Sequence, residues 1–282
     1  MLINKIWLIL NGIFLLTLPE YVIAQCDARI GEVRHIYDDF ESYYSSQPNP
    51  ARKKIRIDLV NGDCGAYIIL NTSNQFQLRG QFQSIKYQVK SESGNLVYPS
   101  SSRFDFVDLS ADINLFIPVG TIARAGIYTD NFFIKLFDKN DNLLDEKNFE
   151  IQENITPRAS ISILGYNSHS SQVYLGELVP GKEYNMLPSF KIITNTDVKL
   201  NVFSENRGEL RHSVYKNKYS ISYLLDLDGE WIKLKQNYSR FFSYNSKNDF
   251  FITLKMRLEY FKNQAAGEYS DILRFQISPL NY

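Results

Sequence analysis

The chain has 282 residues, with 31 basic and 31 acidic side chains and a formal net charge of +0. That balance removes the electrostatic argument for nucleic acid or an anionic membrane surface as a partner. Apolar residues make up 44%, and 19 Tyr and 19 Phe are present, so the composition supports one or two strand-rich domains.

Residues 1–24 read as a secretory signal. Lys5 is followed by an almost wholly apolar run from Ile6 to Leu18, and Val22-Ile23-Ala24 ends in small residues ahead of a cleavage near Ala24 or Gln25. The run is short of the ~20 residues a membrane span needs. Gln25 sits where a lipoprotein signal wants a small residue before Cys26. An exported chain with two cysteines, Cys26 and Cys64, favours a disulfide between them. A metal or redox pair is the alternative, and no histidine cluster accompanies the pair. Arg34 to Tyr44 is the one short helix candidate.

Tyr87 to Val97, with Gly94, and Tyr223 to Ile232, with Asp228-Gly229, each read as strand, turn and strand. Ile113 to Pro118 and Ile252 to Leu258 read as further strands. Each half then reaches one phrase, Ala125-Gly-Ile-Tyr-Thr-Asp130 and Ala266-Gly-Glu-Tyr-Ser-Asp271. The two copies stand 141 residues apart (267 minus 126), a domain length rather than a solenoid period. In each, a glycine (Gly126, Gly267) ends a loop. A tyrosine (Tyr128, Tyr269) enters the core at the start of a strand, and an aspartate (Asp130, Asp271) follows. The logic is that of a tyrosine corner in immunoglobulin-like sandwiches. The expected fold is therefore all-β: two immunoglobulin-like sandwiches, 25–156 and 157–282, joined near Asn154-Ile-Thr-Pro157.

The halves end differently. After Asp130 the chain runs Phe132 to Phe137, turns at Asp138–Asn142 and returns through Leu143 to Ile151. After Asp271 it runs Ile272 to Ser278, and the last residue stands 11 positions on (282 minus 271). Leu273, Phe275 and Ile277 share the face of Tyr269. The second sandwich is expected to lack its last strand and to expose an apolar edge, which a partner's strand would cover by β-augmentation.

Other chemistry finds little support. His35, His169 and His212 fit no metal spacing, and no nucleophile elbow or phosphate loop is present. Asp138–Asn142 lacks the glycine and glutamate of a calcium loop, with Leu143 and Phe149 in their places. The pair Asp38-Asp39 is too generic to mark a glycosidase. No enzyme activity, metal or cofactor is expected.

The second half resembles the spore coat protein U domain family, the pilin type of archaic (Csu-like) chaperone–usher pili. The resemblance rests on Tyr174–Gly181, Ser204–His212, Tyr223–Trp231 and Ala265–Asp271. The first half is similar to a related domain through Val60–Cys64, Lys86–Val89 and Ala125–Asp130. The resemblance implies a periplasmic chaperone, an outer-membrane usher and a following subunit that donates a strand. Cys26 leaves almost nothing ahead of it to donate, which places the expected subunit at a fibre tip, exported through the periplasm to the cell surface. The first domain would then meet an unknown surface receptor, with Tyr37, Phe40, Tyr43 and Tyr44 as candidate adhesive aromatics; Phe241 to Tyr244 is a second aromatic stretch. The alternative is a free-standing secreted binding or coat protein that does not polymerise.

Overall fold

The computed structural model describes residues 26–36, 51–90, 103–165, 169–245, 247 and 249–280. Among the described residues, ten strands build the first half: β1 Arg29–His35, β2 Ala51–Val60, β3 Gly65–Thr72, β4 Gln77–Arg79, β5 Ser84–Lys86, β6 Gln88–Lys90, β7 Arg103–Asp105, β8 Ser110–Ile117, β9 Gly126–Asp138 and β10 Leu143–Ile155. They form two facing antiparallel sheets. One has the order β1-β2-β8-β6; in the other β9 pairs β4, β3 and β10, with β5 beyond β4 and β7 beyond β3.

Alternation explains the sandwich. Along β2, Lys53, Ile55, Ile57 and Leu59 point inward while Arg52, Lys54, Arg56 and Asp58 point out. Along β9, Tyr128, Phe132, Ile134 and Leu136 are buried among the same core. Each strand thus presents one apolar face, and two such sheets hide both. Cys26 and Cys64 are joined, with Cα atoms 5.8 Å apart, and the bridge ties the chain ahead of β1 to the turn between β2 and β3. It closes 38 positions, which the chain-entropy model values at roughly 4 kcal/mol.

Among the described residues, twelve strands build the second half: β11 Ala159–Ile163, β12 Glu183–Tyr184, β13 Phe190–Thr194, β14 Val198–Ser204, β15 Glu209–His212, β16 Lys216–Leu227, β17 Glu230–Ile232, β18 Tyr238–Phe242, β19 Asp249–Ile252, β20 Leu254–Leu258, β21 Tyr269–Ser270 and β22 Leu273–Pro279. Their sheets run β11-β13-β19, β12-β20-β16-β15-β21 with β17 on β16, and β18-β14-β22. A separate core gathers Ile192, Leu200, Val202, Tyr223, Leu225, Ile252 and Leu258. The molecule is thus all-β, two sandwiches with two cores.

One sequence expectation changes. Arg34 and His35 continue strand β1 instead of opening a helix, because their backbone pairs with Arg56 and Ile55 of β2. The rest of that candidate helix, from Tyr37, lies outside the described residues, as do Asp38, Asp39, Phe40, Tyr43 and Tyr44, the signal segment 1–24, and Gly94 to Val97 of the first expected hairpin. The second expected hairpin is β16–β17, turned at Asp228 (φ 52°) and Gly229 (φ 87°), a two-residue turn whose twist suits a hairpin.

The halves meet at one end of β9. Ala125 N donates to the Asn195 carbonyl at 2.8 Å. The Arg124 guanidinium lies 3.0 Å from the Asp197 carboxylate and 4.0 Å over the Phe82 ring.

Candidate functional site

The repeated phrase builds the same device twice. Gly126 and Gly267 have φ values of 148° and 149°, a region that L side chains rarely adopt. Two residues on, Tyr128 donates its hydroxyl to the Arg124 carbonyl at 2.7 Å, and Tyr269 donates to the Ala265 carbonyl at 2.8 Å. Both are tyrosine corners closed four residues back. Burial pushes the Tyr128 hydroxyl up to about 12.

The aspartates do more than the sequence suggests. Asp130 accepts from Tyr87 Oη (2.7 Å), Asn74 N (3.2 Å), Ser73 Oγ (3.2 Å) and Asn131 N (2.9 Å). Asp271 accepts from Tyr223 Oη (2.5 Å), Asn206 N (2.9 Å), Ser204 Oγ (2.5 Å) and Ile272 N (2.7 Å). Burial, and then the bond to Asp271, raise the Tyr223 hydroxyl well above its ordinary range.

Two of the four donors to each aspartate come from a matching pair of loops, Thr72-Ser-Asn-Gln-Phe76 and Ser204-Glu-Asn-Arg-Gly208. Gln75 and Phe76 have φ 53° and 59°; Arg207 and Gly208 have 60° and 80°. Phe76 N donates to Thr72 Oγ1 and Gly208 N donates to Ser204 Oγ. The Asn74 amide reaches the Thr129 carbonyl and the Asn206 amide reaches the Ser270 carbonyl. The two loops share only Asn and a hydroxyl, too little for the sequence alone to pair them. The usable signal is [ST]-x-N followed by a tyrosine 13 or 17 residues after the Asn (87 minus 74, 223 minus 206).

With the two halves in register, β9 matches β21 plus β22, and β3 matches β14. Thr72 pairs with Phe132 and Ser204 pairs with Leu273, each two residues past its aspartate. The halves then part. In the first, β9 carries β3 on one side and β10 on the other, paired from Leu143 opposite Phe137 to Ile155 opposite Gly126. In the second, β22 pairs with β14, and among the described residues no strand lies on its other edge.

Burial follows. Phe132, Ile134 and Leu136 are 0%, 1% and 0% exposed. Their counterparts Leu273, Phe275 and Ile277 are only half-buried against the second core. Beside them runs a groove of about 1320 Å³, with Ile161, Ile163, Phe190, Met256, Leu273 and Phe275 in its wall. Strand β11 runs close to β22, whereas in the first half the matching β1 lies against β10. There Ile30 N donates to Asp145 Oδ2 at 2.8 Å. The backbone along the outer edge of β22 and the apolar floor together form a slot for one extended segment.

The remaining candidates fall elsewhere. His212 is buried; its Nδ1 accepts from Val214 N at 3.0 Å and its Nε2 faces the Ala266 carbonyl at 3.2 Å. Its ring stacks edge-on against Tyr269, so it is packing for the second corner. His169 is exposed in the loop after β11. Asp138 caps its own turn by accepting from Asn140 N and Asn142 N. Asp226 accepts from Gly229 N and shapes the β16–β17 turn. Phe241 is exposed and Phe242 packs on the second core.

No family model matches the chain, and no curated protein matches it. Several solved structures align over most of its length. One is a chain of the CsuC–CsuE chaperone–tip adhesion subunit pre-assembly complex of Acinetobacter baumannii, at 11% identity over 76% of this chain and 85% of that one, with a TM-score of 0.39. A second is a mutant form of the CFA/I adhesin CfaE of enterotoxigenic E. coli, at 11% over 89% and 82%, with a TM-score of 0.40. A third is the CupB6 tip adhesin of Pseudomonas aeruginosa, at 9% over 89% and 93%, with a TM-score of 0.38.

Proposed function

We propose that this chain is a non-enzymatic adhesion subunit, exported through the periplasm to the tip of a surface fibre. In this reading the first sandwich makes contact with the target. The second is held in the fibre by a β-strand donated first by a chaperone and then, after passage through an outer-membrane usher, by the next subunit. One observation carries the reading. The same sheet is built twice in one chain, closed by β10 in the first copy and left, among the described residues, with an uncovered apolar edge at β22 in the second.

The division of labour has a physical basis. The first sandwich supplies its own closing strand, so it needs no partner to hide its core. Its pole opposite the junction carries Val60, Val107, Leu109 and Leu143, each about half exposed or more (52%, 64%, 49% and 50%). Asp108 and Leu109 hold left-handed φ values of 49° and 63° in the turn there. A half-exposed leucine kept at such a φ is unfavourable for a free surface and suits contact with apolar material.

The test is urea unfolding of the full chain with a synthetic peptide of alternating apolar residues, the length of β10. Two transitions are expected, one per core. The peptide should move the second-domain transition to higher urea and leave the first in place. A second transition that is already cooperative and ignores the peptide would favour a free-standing binding or coat protein, a reading supported by the close approach of β11 to β22.

A further inference from the structure

The molecule holds a ready donor of its own kind. Strand β10 already closes one copy of this sheet, so β10 of a second molecule has the shape to enter the groove beside β22. Resting on the reading of that groove as a strand acceptor, we propose that a buried charge on β10 prevents this. The groove takes only a strand that is uncharged at the position facing Tyr269.

The register defines that position. Glu153 lies opposite Tyr128 on the β9 ladder, and Tyr269 is the counterpart of Tyr128. Glu153 is 5% exposed, and its carboxylate faces Lys53 Nζ at 3.8 Å across the sandwich. Lys53 is 3% exposed and also donates to the Gln152 carbonyl of the same strand at 3.1 Å. The buried glutamate of β10 is therefore matched by a buried lysine of β2.

Among the described residues, the second sandwich has no such lysine. Lys53 pairs with Leu115, and Leu115 pairs with Val89, two residues past Tyr87. In the second half Leu225, two residues past Tyr223, pairs with Met256, and Met256 pairs with Tyr184. Tyr184 thus stands where Lys53 stands. Its hydroxyl already donates to the Glu177 carbonyl at 2.9 Å, and a phenol cannot neutralise a carboxylate. Charge around the groove makes matters worse. Glu177, Glu268 and Asp271 line it. Of its basic lining residues, His169 is exposed, and Arg274 is 74% exposed and turned to Glu205. Lys182 lies over the Tyr184 ring at 4.9 Å but is exposed and outside the groove wall.

The other inward charges of β10 do not discriminate in this way. Asp145 accepts from Ile30 N, and Lys147 donates to the Gly31 carbonyl. Both partners are backbone groups that any first strand offers. Glu153 alone requires a side chain that the second sandwich lacks. A buried carboxylate without its cation costs far more than an apolar replacement at the same place.

Fluorescently labelled peptides of residues 143–155, native and Glu153→Leu, are titrated into the full chain and followed by anisotropy. The Glu153→Leu peptide is expected to bind about a hundredfold more tightly or better. Tyr184→Lys in the full chain is expected to raise the affinity for the native peptide. Equal affinity of the two peptides would overturn the proposal and leave the groove reading intact. Binding of the alternating apolar peptide but of neither β10 peptide would also overturn it, by removing the register on which it stands. Failure of all three peptides to bind would overturn the strand-acceptor reading itself.

Discussion

Asp130 and Asp271 occupy equivalent places and differ in exposure. Asp130 is 0% exposed and satisfies four donors. Asp271 satisfies the same set from a half-buried site beside the groove. Replacing either by Ala leaves a tyrosine hydroxyl and two backbone N–H groups without their acceptor. The cost depends on whether water can reach them. Asp130→Ala is expected to lower first-domain stability by at least about 3 kcal/mol, and Asp271→Ala to lower second-domain stability by less. Urea midpoints of the two transitions measure this. An equal loss would mean that the second aspartate is as dry as the first and that the groove is already covered.

At the scale of elements, β2 and β8 are fastened on their outer side by one carboxylate. Asp112 accepts from the cross-strand Arg56 at 2.7 Å through both of its oxygens, and Lys54 Nζ lies 2.5 Å from it. The Arg56 bond, more than Lys54, holds the Asp112 carboxyl below its ordinary value. The unfolded chain restores a value of about 4. The contribution is therefore complete above that pH and is lost as pH falls through the folded value. Asp112→Asn is expected to lower first-domain stability at neutral pH and to flatten its decline below about pH 4. An acid limb of unchanged slope in the variant would remove Asp112 as its cause.

Elements also decide what could be read in advance. The two Gly-x-Tyr-x-Asp phrases were legible because each position needs one residue type: a left-handed φ, a hydroxyl and a carboxylate. The alternation of Leu273, Phe275 and Ile277 was legible for the same reason that β22 is half-buried. The loops Thr72–Phe76 and Ser204–Gly208 were not, because a backbone shape that Gln75 and Arg207 adopt equally well leaves no signature in side chains. The Lys53–Glu153 pair joins residues 100 positions apart (153 minus 53), and Lys53 reads as one of several cations on a strand until the sheets are stacked. The second domain's broken strand, β12 then β13 with Pro188 between, is visible only once Tyr184 and Phe190 are both seen packed into the second core.

At the scale of the whole molecule, the junction is small but layered. Asp197 receives Arg124 from the first sandwich, accepts from Tyr244 N at 2.6 Å, and through its carbonyl accepts from Leu280 N at 2.8 Å. The Asn195 side chain holds the connecting segment by accepting from Arg158 N and donating to the Thr156 carbonyl. Arg124→Ala removes the ion pair and the stacking on Phe82 while leaving the carbonyl that holds Tyr128. It is expected to lower the stability of the contacting domains by about 1 kcal/mol or more, because the pair is mostly buried, and to broaden the distribution of interdomain orientations in small-angle scattering. An unchanged scattering curve would mean that the Ala125–Asn195 bond suffices.

Strand β9 spans the first sandwich from the Asp138 turn to Gly126, 13 residues or about 40 Å. It begins at the residues that touch the second sandwich. A pull exerted at the far turn is carried along β10, which is hydrogen-bonded to β9 from end to end, and passes by covalent backbone through Ile155 and the connecting residues 156–158 into β11. The ladder between β11 and β13 then takes the load lengthwise, its five residue pairs sharing the tension at once instead of parting one after another. The long hairpin that closes the first core is in this sense also a tie rod, and the tensile strength of the molecule resides in its strands, with little demand on the packing between its domains.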